Sequence, residues 1–140
     1  MIASGLAACI FIAAQTYSVP PAVLVGIMHV EGGKVGQQVR NKNRTYDLGP
    51  MQINTIWLPE LAKHWRVSKA TAKRWVRDDG CTNISVAAWI LRKKSSDAGS
   101  LYKGSAHYHS KTPSLGFNYR RKVFKAMHRY GLLKTQNRLR

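Results

Sequence analysis

A chain of 140 residues, 44% hydrophobic and 21% charged, is long enough to bury one core without a metal and too apolar to be disordered. Its 23 Lys and Arg against 6 Asp and Glu leave a formal net charge of +17. That balance says nothing about fold but favours an anionic partner: nucleic acid, an anionic membrane surface or an acidic cell-wall polymer. The apolar start includes Leu6, Ala7, Ala8 and Cys9, which look like a lipoprotein cleavage box. No basic residue precedes it and the apolar run is too short for a signal core, so it reads as the first turns of a helix. Export then rests on a signal further upstream or on another route. No segment approaches the ~20 apolar residues of a membrane span.

The first helix is predicted over 7–17, Ala-rich and apolar. Pro20 and Pro21 sit where a second helix starts. It runs over 22–31, and Gly32 and Gly33 supply its left-handed cap. Residues 34–46 lack periodicity and read as a loop with a short hairpin at most. Asn54 is the candidate cap of a helix toward Trp65 that Pro59 breaks or shortens. Ser68 caps another through Arg77, and Asp78, Asp79 and Gly80 make a turn. A longer helix begins at Thr82 or Asn83, with Ile84, Ala87, Ala88 and Leu91 on one stripe. Residues 100–110 form a helix ending before Pro113. The last helix turns Tyr119, Val123, Met127 and Tyr130 inward, and a basic tail follows over 133–140. Without a repeat or linker, this is one domain over 1–140, all-α with at most a small β excursion after the second helix.

Glu31 is the sharpest chemical signal. Leu24, Ile27, Met28 and Glu31 share one face of the second helix, so a carboxyl ends an apolar stripe. Apolar burial and the negative end of the helix dipole both disfavour its anion. A carboxyl kept protonated near neutral pH is what protonation of a leaving glycosidic oxygen requires. The plainer alternative is a solvated glutamate at a frayed helix end. Sixteen residues on, the run Asp47, Leu48, Gly49, Pro50, Met51, Gln52, Ile53, Asn54 alternates apolar and polar side chains. Its amides suit a wall that hydrogen-bonds sugar hydroxyl and acetamido groups, and its alternative is a tight turn with an asparagine cap.

Glu31 followed by Gly32 and Gly33, then Gly49, Met51, Gln52, Ile53 and Asn54, resembles the soluble lytic transglycosylase and lysozyme-like superfamily. Cys81 and Asn83 leading into Ala87, Ala88, Trp89, Ile90 and Leu91 look like the specialised transglycosylases of conjugation and type IV secretion systems. So do Tyr108, His109, Ser110, Thr112 and Pro113. The likeness runs from about Cys9 to Tyr130. It implies a lysozyme-like helical domain that cleaves the MurNAc–GlcNAc bond of peptidoglycan glycan strands and leaves 1,6-anhydro-MurNAc ends. It further implies a periplasmic or secreted location, no cofactor, and service to a secretion, conjugation or pilus assembly.

The same resemblance implies residue roles. Glu31 is the general acid, then the base. Gln52 and Asn54, with Gly49 and Ile53, line the cleft. Met51 presses on the sugar. Tyr108, beside His109, orients Glu31, and Tyr119 supports the same wall. Cys9 and Cys81, which by count alone fit a disulfide or two free thiols equally well, resemble a disulfide pair. Closing so long a loop is worth on the order of 4 kcal/mol.

Asp47 stands where related animal lysozymes carry a second acid, which makes it a candidate second catalytic carboxylate and the basis of a hydrolytic alternative. Its plainer alternative is a bond to loop amides. Trp57 is the tryptophan best placed for the cleft margin, whereas Trp89 reads as core. The five histidines lack metal-site spacing, so no metal is expected. A basic nucleic-acid-binding module, with Arg120, Arg121, Lys122, Arg138 and Arg140 on phosphates, is the disfavoured non-enzymatic reading. It leaves Glu31 and the run through Asn54 without a purpose.

Overall fold

The computed structural model describes residues 4–109, 113–129 and 131. Ser110, Thr112, Tyr130, Arg138, Arg140 and the tail over 133–140 lie outside the described residues. Seven helices and one small sheet occur among those described: α1 (Ser4–Tyr17), α2 (Pro21–Glu31), β1 (Gln38–Arg40), β2 (Tyr46–Leu48), β3 (Ile53–Asn54), α3 (Leu58–Trp65), α4 (Lys69–Asp78), α5 (Gly80–Ala98), α6 (Leu101–His109) and α7 (Pro113–Arg129). The predominantly helical architecture with a hairpin excursion agrees with the sequence reading.

Local chemistry sets most boundaries. Pro21 opens α2, where its missing N–H costs nothing, and Gly32 ends it in the left-handed region with its N–H on the Met28 carbonyl. Ser68 accepts from the Thr71 N–H to cap α4. Of the expected turn at Asp78, Asp79 and Gly80, only Asp79 lies outside a helix. Its side chain caps α5 through the Thr82 N–H, so α5 starts at Gly80 rather than at Thr82 or Asn83. Asn54 caps a single 3-10 turn, Thr55–Trp57, and α3 begins afresh with Pro59 in its first turn. Arg92 on α5 donates to the carbonyls of Tyr17 and Ser18, which α1 leaves unpaired at its end.

The core gathers Leu24 and Ile27 of α2, Ile84, Ala87, Ala88 and Leu91 of α5, and Val123 and Met127 of α7. Gly26 of α2 faces Val123 and Met127, while Glu31 meets Tyr119, so α2 and α7 run antiparallel. This pairing brings a residue near the start of α7 to the end of α2. The sheet lies beyond that end: β1 pairs antiparallel with β2, and β2 with β3. Cys9 of α1 and Cys81 of α5 form a disulfide across 72 residues of chain. No helix among the described residues is long and apolar enough to cross a membrane.

Candidate active site

The end of α2, the turn between β1 and β2, the strands β2 and β3, and the end of α6 enclose an open cleft of about 440 Å³. Glu31 and Asp47 line it together with Gln52, Ile53, Asn54, Trp57, Tyr108 and His109. Eight residues singled out in the sequence thus share one cavity. Its remaining border is Asn41, Lys42, Asn43, Thr45 and Ile90.

The Glu31 carboxyl is largely withdrawn from solvent, and burial pushes its pKa from 4.5 up to about 7. The Tyr119 hydroxyl, donating to Glu31 Oε2 at 2.8 Å, opposes that shift, and the charge of Asp47 adds to it. Tyr119 is itself buried between hydrophobic neighbours and acidic charge, which raises its own pKa, so it remains a donor. Tyr108 was expected to orient Glu31. Instead its hydroxyl donates to the Met51 carbonyl at 3.2 Å, and its pKa is raised by burial and by the charges of Glu31 and Asp47. The contact with Glu31 belongs to Tyr119, because α7 runs back along α2 and presents it to that helix end. The rings of Tyr108 and His109 lie nearly parallel to Tyr119, with centroids 6.2 and 4.8 Å away. Tyr119→Phe removes a donor that favours the anion, so the Glu31 pKa should rise further, by about one unit or more. Carboxyl-carbon NMR titration checks this, and an unmoved midpoint would refute the role given to Tyr119.

Asp47 and Asn54 face each other across β2 and β3, and the Asn54 side-chain amide donates to Asp47 Oδ1 at 3.0 Å. The same amide reaches Thr45 Oγ1, which donates to Asn43. Asp47 is therefore held by a side-chain amide rather than by loop backbone. Gln52 has φ +52°, a strained value for a residue with a side chain, and its amide folds back onto the Gly49 carbonyl.

Two expected cleft residues are placed elsewhere. Met51 is fully buried, so its side chain packs in the core beneath the cleft and cannot press on a sugar. Gly49 does not line the cavity. It turns the chain at φ +67°, where a Cβ would collide with the Asn83 side-chain amide. Trp57 does border the cleft and meets Trp89 edge-on at 5.4 Å, whereas Trp65 and Trp75 pair with each other elsewhere.

Asn83 carries more than the sequence revealed. Fully buried on α5, it accepts from the Met51 N–H at 2.8 Å and donates to the carbonyls of Leu48 and Val76 at 2.8 and 2.9 Å. It ties both sides of the turn at Gly49 to the helical core. Within the stretch 34–46, which the sequence predicts as a loop with a short hairpin at most, Asn41, Asn43 and Thr45 also form a polar rim of the cleft that Glu31 lines. Two asparagines and a threonine within the run from Asn41 to Thr45 are the available signal, since each can bond both loop backbone and a ligand.

A protonated carboxyl against an amide-lined groove is equipped to donate a proton to a bound, hydroxyl-rich ligand and later retrieve one. The family model of the transglycosylase SLT domain matches residues 8–127. No curated protein matches the chain.

Proposed function

Since the chain belongs to the transglycosylase SLT domain family, whose enzymes act on peptidoglycan, we propose that it is a lytic transglycosylase that splits the MurNAc–GlcNAc bond and leaves a 1,6-anhydro-MurNAc end. The observation that carries this reading is Glu31 itself, a buried carboxyl with a pKa of about 7 on the floor of an amide-lined cleft. Protonated Glu31 delivers its proton to the bridging oxygen as the bond from that oxygen to the MurNAc C1 breaks, releasing the GlcNAc side as an alcohol. The resulting carboxylate then takes the proton of the MurNAc 6-hydroxyl as that oxygen closes on C1. One group serves as acid and then as base, and no water is consumed. Tyr119 donates to the carboxylate between the two steps. Gln52, Asn54 and the rim asparagines offer donors and acceptors to the sugar acetamido and hydroxyl groups.

The reading extends to context. Likeness of the segments around Cys81 and Tyr108 to specialised transglycosylases supports local wall opening for a secretion, conjugation or pilus assembly. The disulfide fits a periplasmic or secreted location. A second reading is favoured by one observation: Asp47 lines the same cleft and its charge acts on Glu31. With Asp47 as a second catalytic carboxylate, the enzyme would be a hydrolytic muramidase.

Digestion of purified sacculi, with the released muropeptides weighed, separates the two. Products lighter by one water, and an Asp47→Asn variant within about tenfold of wild type, are expected. Reducing-end products with Asp47→Asn inactive, a loss on the scale of a full catalytic group at ~10²–10⁴-fold, would establish the muramidase instead.

A further inference from the structure

The C-terminal part of the chain carries a charge pattern that the cleft does not use. After Asp97 the sequence has no acidic residue, and α7 alone contains Arg120, Arg121, Lys122, Lys125 and Arg129. Its buried stripe is Tyr119, Val123 and Met127, which leaves Arg121, Lys122, Lys125 and Arg129 exposed. Large apolar side chains are exposed on both flanks of this basic ridge, Phe117 and Tyr102 beside Arg121 and, near the start of α7, Leu115 in line with Lys122. Leu115 and Phe117 of α7 are 52% and 56% accessible, and Tyr102 of the adjoining α6 is 56% accessible.

These aromatics are held in place. Tyr102 stacks on Phe124 at 5.9 Å. The Arg120 guanidinium lies 3.6 Å from the centre of the Tyr102 ring and 5.0 Å from that of Phe117, and it donates to the Tyr102 carbonyl. A groove between α6 and α7 runs past Tyr102, Phe117, Arg121 and Lys125. A second groove on the other flank of α7 runs past Lys122, Lys125 and Arg129, so Lys125 borders both. No acidic residue borders either groove among the described residues.

Of the anionic partners compatible with such charge, a lipid surface uses both halves of the pattern most fully: glycans and unpaired bases can stack on an aromatic ring but leave the aliphatic side chain without a partner. Duplex nucleic acid and wall polymers present phosphates or carboxylates to the cations but offer nothing apolar to Leu115. Aromatic and aliphatic side chains ringed by Lys and Arg are what proteins place at the boundary between headgroups and acyl chains. We propose that the α6–α7 face docks on an anionic phospholipid bilayer. Leu115 and Phe117 enter the headgroup boundary, and Arg121, Lys122, Lys125 and Arg129 meet lipid phosphates. The proposal goes beyond the reading of the cleft and does not depend on it.

Sedimentation of the whole protein with vesicles of phosphatidylcholine, with and without phosphatidylglycerol, tests it. Wild type should partition into the anionic vesicles at least about tenfold better than into neutral ones. Arg121→Glu with Lys125→Glu should remove that preference. Leu115→Ser with Phe117→Ser should weaken binding several-fold and leave a remainder that salt abolishes. All four side chains are exposed, so unfolding temperatures near wild type should confirm that both variants fold. Equal binding to neutral and anionic vesicles, or no loss in either variant, would overturn the proposal. So would retention on labelled duplex DNA or wall polymer that falls with the charge variant and ignores the apolar one, since the face would then serve a polyanion.

Discussion

Replacing Glu31 with Gln abolishes glycan cleavage, with a loss of at least about 10³-fold in kcat and little change in substrate binding. The amide keeps the volume and the acceptor for the Tyr119 hydroxyl, but it can neither give nor take a proton. General acid–base catalysis is worth about 10²–10⁴-fold for one step, and here one group acts in both. Wild-type activity should fall as pH rises through about 7, because only the protonated acid can begin the reaction. Muropeptide release by the two proteins, followed between pH 5 and 9, checks both statements. Glu31→Gln activity within tenfold of wild type would remove Glu31 from the chemistry.

The same residue sets a stability trade. Its pKa of about 7 when folded exceeds the unfolded value of 4.5, so the native state binds the proton more tightly. Below the unfolded value both states are protonated and nothing is lost. Between the two values the unfolded chain ionises first, and stability falls as pH rises. Above about 7 the full penalty is present, on the order of 3 kcal/mol at ~1.4 kcal/mol per unit. Gln does not titrate. Glu31→Gln should therefore gain stability over wild type between pH 4.5 and pH 8, readable in urea midpoints at the two values. An acid that costs folding energy at working pH is retained for what it does rather than for what it holds together.

Much of this was legible because it is local. Pro21 and Gly32 bracket α2, and the stripe Leu24, Ile27 and Glu31 could be read at helical spacing before any contact was known. The strands were legible only as a short hairpin after α2, because two or three residues are too short for an alternating pattern to fix their bounds. Met51 is instructive. The alternation through Ile53 and Asn54 places Met51 on the buried side with Ile53, and the resemblance alone drew it toward the sugar. The partner of Glu31 lies 88 residues away, and Asn83 bonds across 32 and 35 residues. Such pairs depend on how helices pack, which periodicity along one helix does not report. Phe11 and Ile12 show the converse: an apolar helix pattern predicts burial, yet both are about two-thirds exposed.

Asn83→Ala should be severely destabilising. Asn83 fills three bonds at once, to the Met51 N–H and to the carbonyls of Leu48 and Val76, in a site with no measurable exposure. Truncation removes all three and leaves three buried backbone groups unpaired, at about 1–3 kcal/mol each. A total of about 3–9 kcal/mol is a large part of the ~5–15 kcal/mol that holds a domain together. Asn83→Asp should fare no better, because it keeps the acceptor for Met51 but turns a carboxylate toward two carbonyl oxygens. The effect should reach the cleft as well. The turn that Asn83 anchors carries Asp47 on one side and Gln52, Ile53 and Asn54 on the other, so freeing it loosens the wall opposite Glu31. Denaturant unfolding measures the first loss. Activity per folded molecule, assayed where the variant is still native by circular dichroism, measures the second, and a KM raised with Glu31 still titrating near 7 would locate the damage in the wall. A loss below about 1 kcal/mol would mean that the three backbone groups find other partners, and that the wall is held by the sheet instead.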